Sequence, residues 1–145
     1  MKLMQHIFVY GSLLFPELVR KLTGKRFNSV PATVKGFKRF AVKGCDYPAI
    51  VPCNDCAVQG LLLLDVDEES VHVLTLYEGE EYSKKEVDVF AGELKYKAIA
   101  FVWESDLCYL EDFDWDQNAF RQQSLQNYVA NIAPNTERES GNSDV

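Results

Sequence analysis

The run from Gln59 to Val66 is almost wholly apolar and stops abruptly at Asp67. A run this short, apolar at successive positions, reads as a strand buried on both faces. It falls far short of the roughly 20 apolar residues that cross a bilayer. Asp67 then offers its side chain to the free N–H groups of a following helix, in which Val71, Leu74 and Tyr77 or Glu78 recur at helical spacing. Gly79 supplies the stop.

The rest of the chain surrounds this strand and helix with short strands. His6–Tyr10 is β-branched and aromatic and ends at Gly11-Ser12, so it reads as a buried strand entering a turn. Phe15 to Leu22 reads as a helix with Pro16 in its first turn. Ser29 to Val42 gives strand pieces broken at Gly36, and Tyr47 to Val51 an extended piece between Pro48 and Pro52. Tyr82 to Phe90 and Tyr96 to Trp103 alternate in polarity around Gly92, as a hairpin does. A last helix starting at Asp114 or Asp116 would gather Phe120, Leu125, Tyr128, Val129 and Ile132 into one apolar stripe and stop before Pro134. So few βαβ repeats favour an α+β domain with a largely antiparallel sheet or barrel. With 145 residues and 47% apolar content, one domain over 1–133 is expected, followed by a disordered polar tail over 134–145.

Charge narrows the partners. The net charge is −7, and neither 65–81 nor 104–116 contains a lysine or arginine, which argues against a surface for phosphate backbones. No nucleic acid and no membrane are expected. The start of the chain lacks the apolar core of a signal peptide, so a cytoplasmic protein with reduced Cys45, Cys53, Cys56 and Cys108 is expected. A monomer or weak dimer is the expected state.

Two places carry chemistry. Val9-Tyr10-Gly11-Ser12-Leu13 puts a glycine where a strand ends, so backbone N–H groups there can bind a carbonyl oxygen or carboxylate; a plain turn is the simpler reading. Glu78 shares the apolar face of its helix with Leu74 and sits at the helix C-terminus beside Glu80 and Glu81. Burial, the helix dipole and like charges would all raise its pKa toward that of a general acid–base, unless it is simply an exposed terminal glutamate. His6 and His72 have no nucleophile near them in sequence. Cys53-Asn54-Asp55-Cys56 has metal-ligand spacing, but Cys45 and Cys108 do not repeat the pair, so loop thiols are expected and no metal site.

Val9–Leu13, Tyr47-Pro48-Ala49-Ile50, Val58-Gln59-Gly60, Leu74 to Tyr82 and the Trp115 to Tyr128 segment together resemble the gamma-glutamylcyclotransferase-like family. The likeness spans about Ile7 to Val129 and is nearest to the plant-type branch named for an avirulence-induced gene. It implies a small, largely antiparallel β-barrel with flanking helices, in which the Tyr10, Gly11, Ser12 and Leu13 loop and Glu78 face one pocket. It also implies that Glu78 takes a proton from the substrate's α-ammonium. The freed amine then attacks the γ-carbonyl, releasing 5-oxoproline and an amine or amino acid, with no cofactor and with Tyr82 lining the leaving-group side. Such an enzyme is a cyclotransferase of acyltransferase or lyase type, acting on a small gamma-glutamyl amide or amine. The family's Leu-Asp-x-Phe-Glu pattern reads Leu74-Thr75-Leu76-Tyr77-Glu78 here, and its basic residue after the tyrosine is represented only by Lys84 or Lys85. The Thr75 substitution motivates an alternative, a non-catalytic small-molecule-binding or regulatory module of the same fold. A thiol redox or zinc protein built on Cys53 and Cys56 is a third.

Overall fold

A computed structural model describes residues 4–131. Five strands close into a barrel in the order β1-β3-β2-β4-β5: β1 (Met4–Val9), β2 (Ser29–Ala41), β3 (Pro48–Asp67), β4 (Tyr82–Ala91) and β5 (Leu94–Trp103). Every neighbouring pair is antiparallel except β1 with β5, which meet in parallel at Ile7 and Ile99. The helices α1 (Pro16–Thr23), α2 (Glu68–Glu78), α3 (Gln117–Gln123) and α4 (Leu125–Ala130) flank this barrel. The α+β, largely antiparallel expectation holds.

Alternation along the strands builds two apolar layers. Phe8, Val34, Leu62, Val89 and Ala100 are buried together inside the barrel. Their neighbours in sequence, among them Ile7, Val9, Leu63, Ile99 and Phe101, pack outward against Leu18 and Leu22 of α1, Leu74 of α2 and Phe120 of α3. Leu62 and Leu63 therefore enter different layers, which explains why β3 needs apolar residues at successive positions. Gly60 is obligatory for another reason, because a Cβ there would lie 2.2 Å from the Val9 carbonyl oxygen. The β1–β3 ladder has no room for it.

The extended pieces expected on either side of Gly36 and Pro52 are parts of continuous strands. In the β2–β3 ladder Lys35 pairs with Ala57 and Phe37 with Pro52, so residues 53–56 bulge opposite Gly36 alone. The ribbon continues beyond this bulge to Ala41 and Pro48. That extension brings residues 46–48 to the mouth of the barrel.

The single helix expected after Asp116 is two short ones meeting at Ser124, with the Asp116 carboxylate accepting the Ala119 N–H at 3.0 Å. In one continuous helix Phe120 and Leu125 would point about 140° apart. The break lets both be buried against the same layer. Ile132 and the tail over 134–145 lie outside the described residues. Among those described, no helix is long and apolar enough to cross a membrane.

Candidate active site

A cavity of about 240 Å³ opens between the loop after β1, the start of β3, the end of α2 and the start of β4. Tyr10, Gly11, Ser12, Leu13, Glu78 and Tyr82, the residues singled out in the sequence, all line it.

The loop is one 3₁₀ turn over Ser12–Leu14, closed by the Leu14 N–H on the Gly11 carbonyl at 2.9 Å and the Phe15 N–H on the Ser12 carbonyl at 3.3 Å. The N–H groups of Gly11, Ser12 and Leu13 have no acceptor among the described residues. Such a turn is ready to bind an oxyanion or carboxylate. A Cβ on Gly11 would sit 2.8 Å from Pro48 Cγ and Cδ. Its φ is −131°, outside the left-handed region, and the contact with Pro48 demands a glycine there. Tyr10 is buried and its hydroxyl donates to the Phe101 carbonyl.

Glu78 ends α2. The Asp67 carboxylate caps the other end by accepting the Ser70 N–H at 3.2 Å, while Val71 and Leu74 bury the helix against the outer layer. Gly79 stops it at φ 87°, a conformation open to glycine and costly for other residues. The stop places Tyr77 and Glu78 at the cavity, with the Tyr77 hydroxyl 2.7 Å from Ser12 Oγ. The Glu78 carboxyl has neither a hydrogen-bond nor an ion-pair partner among the described residues. Its burial pushes the pKa from the ordinary 4.5 to about 8. Burial is the cause of this shift. Burial likewise pushes up the phenols of Tyr10, Tyr77 and Tyr82, which stay protonated donors at neutral pH.

The model of the family described as "Gamma-glutamyl cyclotransferase, AIG2-like" matches residues 7–117. This chain belongs to that family. It is 34% identical over 133 residues to the AIG2-like protein D of Arabidopsis thaliana, covering 87% of this chain and 85% of that protein. It is 33% identical over 129 residues to the AIG2-like protein C of the same plant, covering 85% and 73%. A solution structure of an Arabidopsis thaliana protein superposes with a TM-score of 0.69 at 26% identity, over 88% of this chain and 79% of the other. A structure titled gamma-glutamyl cyclotransferase shares the fold, with a TM-score of 0.60 at 16% identity, over 90% and 89%.

The pocket has further walls that sequence reasoning did not assign. Tyr47, Pro48, Tyr77, Glu81, Phe101 and Tyr128 also line it, with Phe8 and Val9 of β1. The Tyr82 hydroxyl donates to the Pro48 carbonyl at 2.7 Å, tying β4 to the tip of the β2–β3 ribbon. Asp46 fastens the same tip to the C-terminal helices: its carbonyl accepts the Trp115 indole N–H at 2.7 Å, and its carboxylate accepts the Tyr128 hydroxyl. Arg39 braces the loop by donating to the Tyr10 carbonyl at 2.8 Å while paired with Asp114. The Tyr47–Ile50 and Trp115–Tyr128 motifs were visible in sequence, but their meeting depends on the length of the ribbon.

The departures from the family pattern fall away from the cavity. Thr75 turns its hydroxyl back to the Val71 carbonyl at 2.7 Å and does not line the pocket. Lys84 and Lys85 do not line it either, and Lys85 pairs with Glu104 at 3.6 Å. The cysteines depart from expectation. Cys53 and Cys56 are joined in a disulfide within β3, where the four-residue bulge brings their Cα atoms to 5.5 Å, a spacing a disulfide spans. Cys45 and Cys108 are free and exposed. Among the described residues no three His, Cys, Asp or Glu side chains gather as metal ligands.

Proposed function

We propose that this chain is a cyclotransferase that opens a small gamma-glutamyl amide or amine by internal attack of its α-amine. The observation that carries the reading is the half-buried, unpartnered Glu78 carboxyl lining the same small cavity as the Gly11–Leu13 loop, whose backbone N–H groups are unengaged among the described residues.

In this reading the N–H groups of Gly11 to Leu13 hold the glutamyl end of the substrate. The Glu78 carboxylate takes a proton from the α-ammonium, a group that ordinarily deprotonates near or above about pH 8. Donor and base are then closely matched, and the transfer costs little. The freed nitrogen attacks the γ-carbonyl carbon and closes a five-membered ring, a step made fast by holding both reacting groups in one molecule. Negative charge builds on the carbonyl oxygen, where backbone N–H donors of the loop stabilise it. Protonated Glu78 gives its proton to the departing nitrogen and takes the surplus proton from the new ring nitrogen, the amide C–N bond breaks, and 5-oxoproline leaves with the amine. Tyr82 lines the side from which that amine departs.

The test is 5-oxoproline release from a panel of gamma-glutamyl amines and gamma-glutamyl amino acids, run with the parent and with Glu78→Gln. Turnover by the parent, reduced at least 10²-fold in the variant, is expected. Substrate binding by the parent without any 5-oxoproline would instead identify a binding module of the same fold.

A further inference from the structure

The cavity is lopsided in charge. Glu78 and Glu81 are on its lining, and no lysine, arginine or histidine is. The guanidinium of Arg39, which reaches the Tyr10 carbonyl, is taken up by that carbonyl and Asp114. Glu81 is the turn residue just before β4, next to Tyr82, with its backbone carbonyl accepting the Glu104 N–H at 2.8 Å. Its backbone is therefore held against the end of β5. Its carboxylate is exposed and has no ion-pair partner among the described residues. The Glu81 charge is felt at the hydroxyls of Tyr47 and Tyr82. Asp46, close to Tyr47, Tyr77 and Tyr128, adds a second negative charge beside the mouth.

We infer that Glu81 is a specificity-determining residue of this pocket, favouring gamma-glutamyl compounds whose departing amine carries a second positive charge and rejecting those whose departing amine carries a carboxylate. The inference rests on the cyclotransferase reading and narrows it. In the cyclotransferase reading the departing group lies beside Tyr82, and Glu81 lines the same cavity as the adjacent residue. A carboxylate there meets like charge and no basic lining residue, whereas an ammonium meets an unpaired carboxylate. Rejection of the wrong charge adds to attraction of the right one, so specificity exceeds the small worth of one exposed ion pair.

Three compounds of equal chain length decide the matter: the gamma-glutamyl amides of 1,4-diaminobutane (cationic), butylamine (neutral) and 4-aminobutanoate (anionic). For the parent, kcat/KM for 5-oxoproline release should fall in that order, with about a tenfold span that shrinks as salt is raised. Glu81→Gln should compress the span, and Glu81→Lys should reverse its direction, with circular dichroism confirming the fold. A span unchanged in Glu81→Gln, or a parent that prefers the anionic compound, overturns the inference while leaving the cyclotransferase reading intact. If none of the three releases 5-oxoproline, that reading has failed instead. Calorimetric binding of the same compounds to parent and Glu81→Gln then still decides whether Glu81 selects for charge.

Discussion

Gly11 and Pro48, far apart in sequence, touch so closely that a Cβ on the glycine would lie 2.8 Å from two ring carbons of the proline. The contact joins the loop after β1 to the tip of the β2–β3 ribbon, and both line the cavity. Proline cannot yield as a flexible side chain does, so any larger residue at 11 must move the loop. Gly11→Val is expected to weaken substrate binding sharply, and Gly11→Ala to do so less. Calorimetry on folded protein measures this, and unchanged affinity in the valine variant would remove the loop from the binding site.

The pH dependence of turnover follows from Glu78. With a pKa of about 8, its base form is a minor fraction at neutral pH and grows as pH rises. For the parent, kcat/KM should climb about tenfold per pH unit below pH 7 and bend near 8. A profile that bends near the ordinary glutamate value would show that the catalytic base is not a buried carboxyl.

The same shift predicts a stability effect of opposite sense. Because the folded-state pKa is raised from 4.5 to about 8, the folded protein holds a proton that the unfolded chain releases between those values. Stability from this group is fully present below about pH 4.5 and is lost as pH rises through about 8. Glu78→Gln, which never charges, should match the parent near pH 4.5 and be more stable at pH 9, by an amount on the order of a few kcal/mol. Chemical denaturation of both proteins at the two pH values measures it. A variant less stable than the parent at pH 9 would mean that the carboxylate has a stabilising partner.

Cys53 and Cys56 lie in the β3 bulge and do not line the cavity. The proposed ring closure uses a nitrogen of the substrate as its nucleophile. The Cys53→Ser/Cys56→Ser double variant should therefore retain nearly full 5-oxoproline release, while losing some thermal stability as the bulge is freed. Large loss of activity in the double variant with an intact circular dichroism spectrum would favour a thiol-based mechanism.

Much of the fold was legible because local rules and tertiary demands agree. Asp67 caps α2 and Gly79 ends it, and those two residues alone place Glu78 on the last turn. The double-sided apolar run in β3 announced a strand between two apolar layers, and alternation around Gly92 announced the hairpin of β4 and β5. What the chain folds into over long distances was not written in any one segment. The bulge at residues 53–56 exists because one glycine of β2 faces four residues of β3, a matter of register between strands. The Asp46–Trp115–Tyr128 contacts depend on how far that ribbon reaches, and the break at Ser124 on which layer Phe120 and Leu125 must both enter. The Glu78 pKa belongs to this second class as well. Sequence set the carboxyl at a helix end, but only the barrel and helices closing around it remove the water that would otherwise hold its proton affinity at the ordinary value.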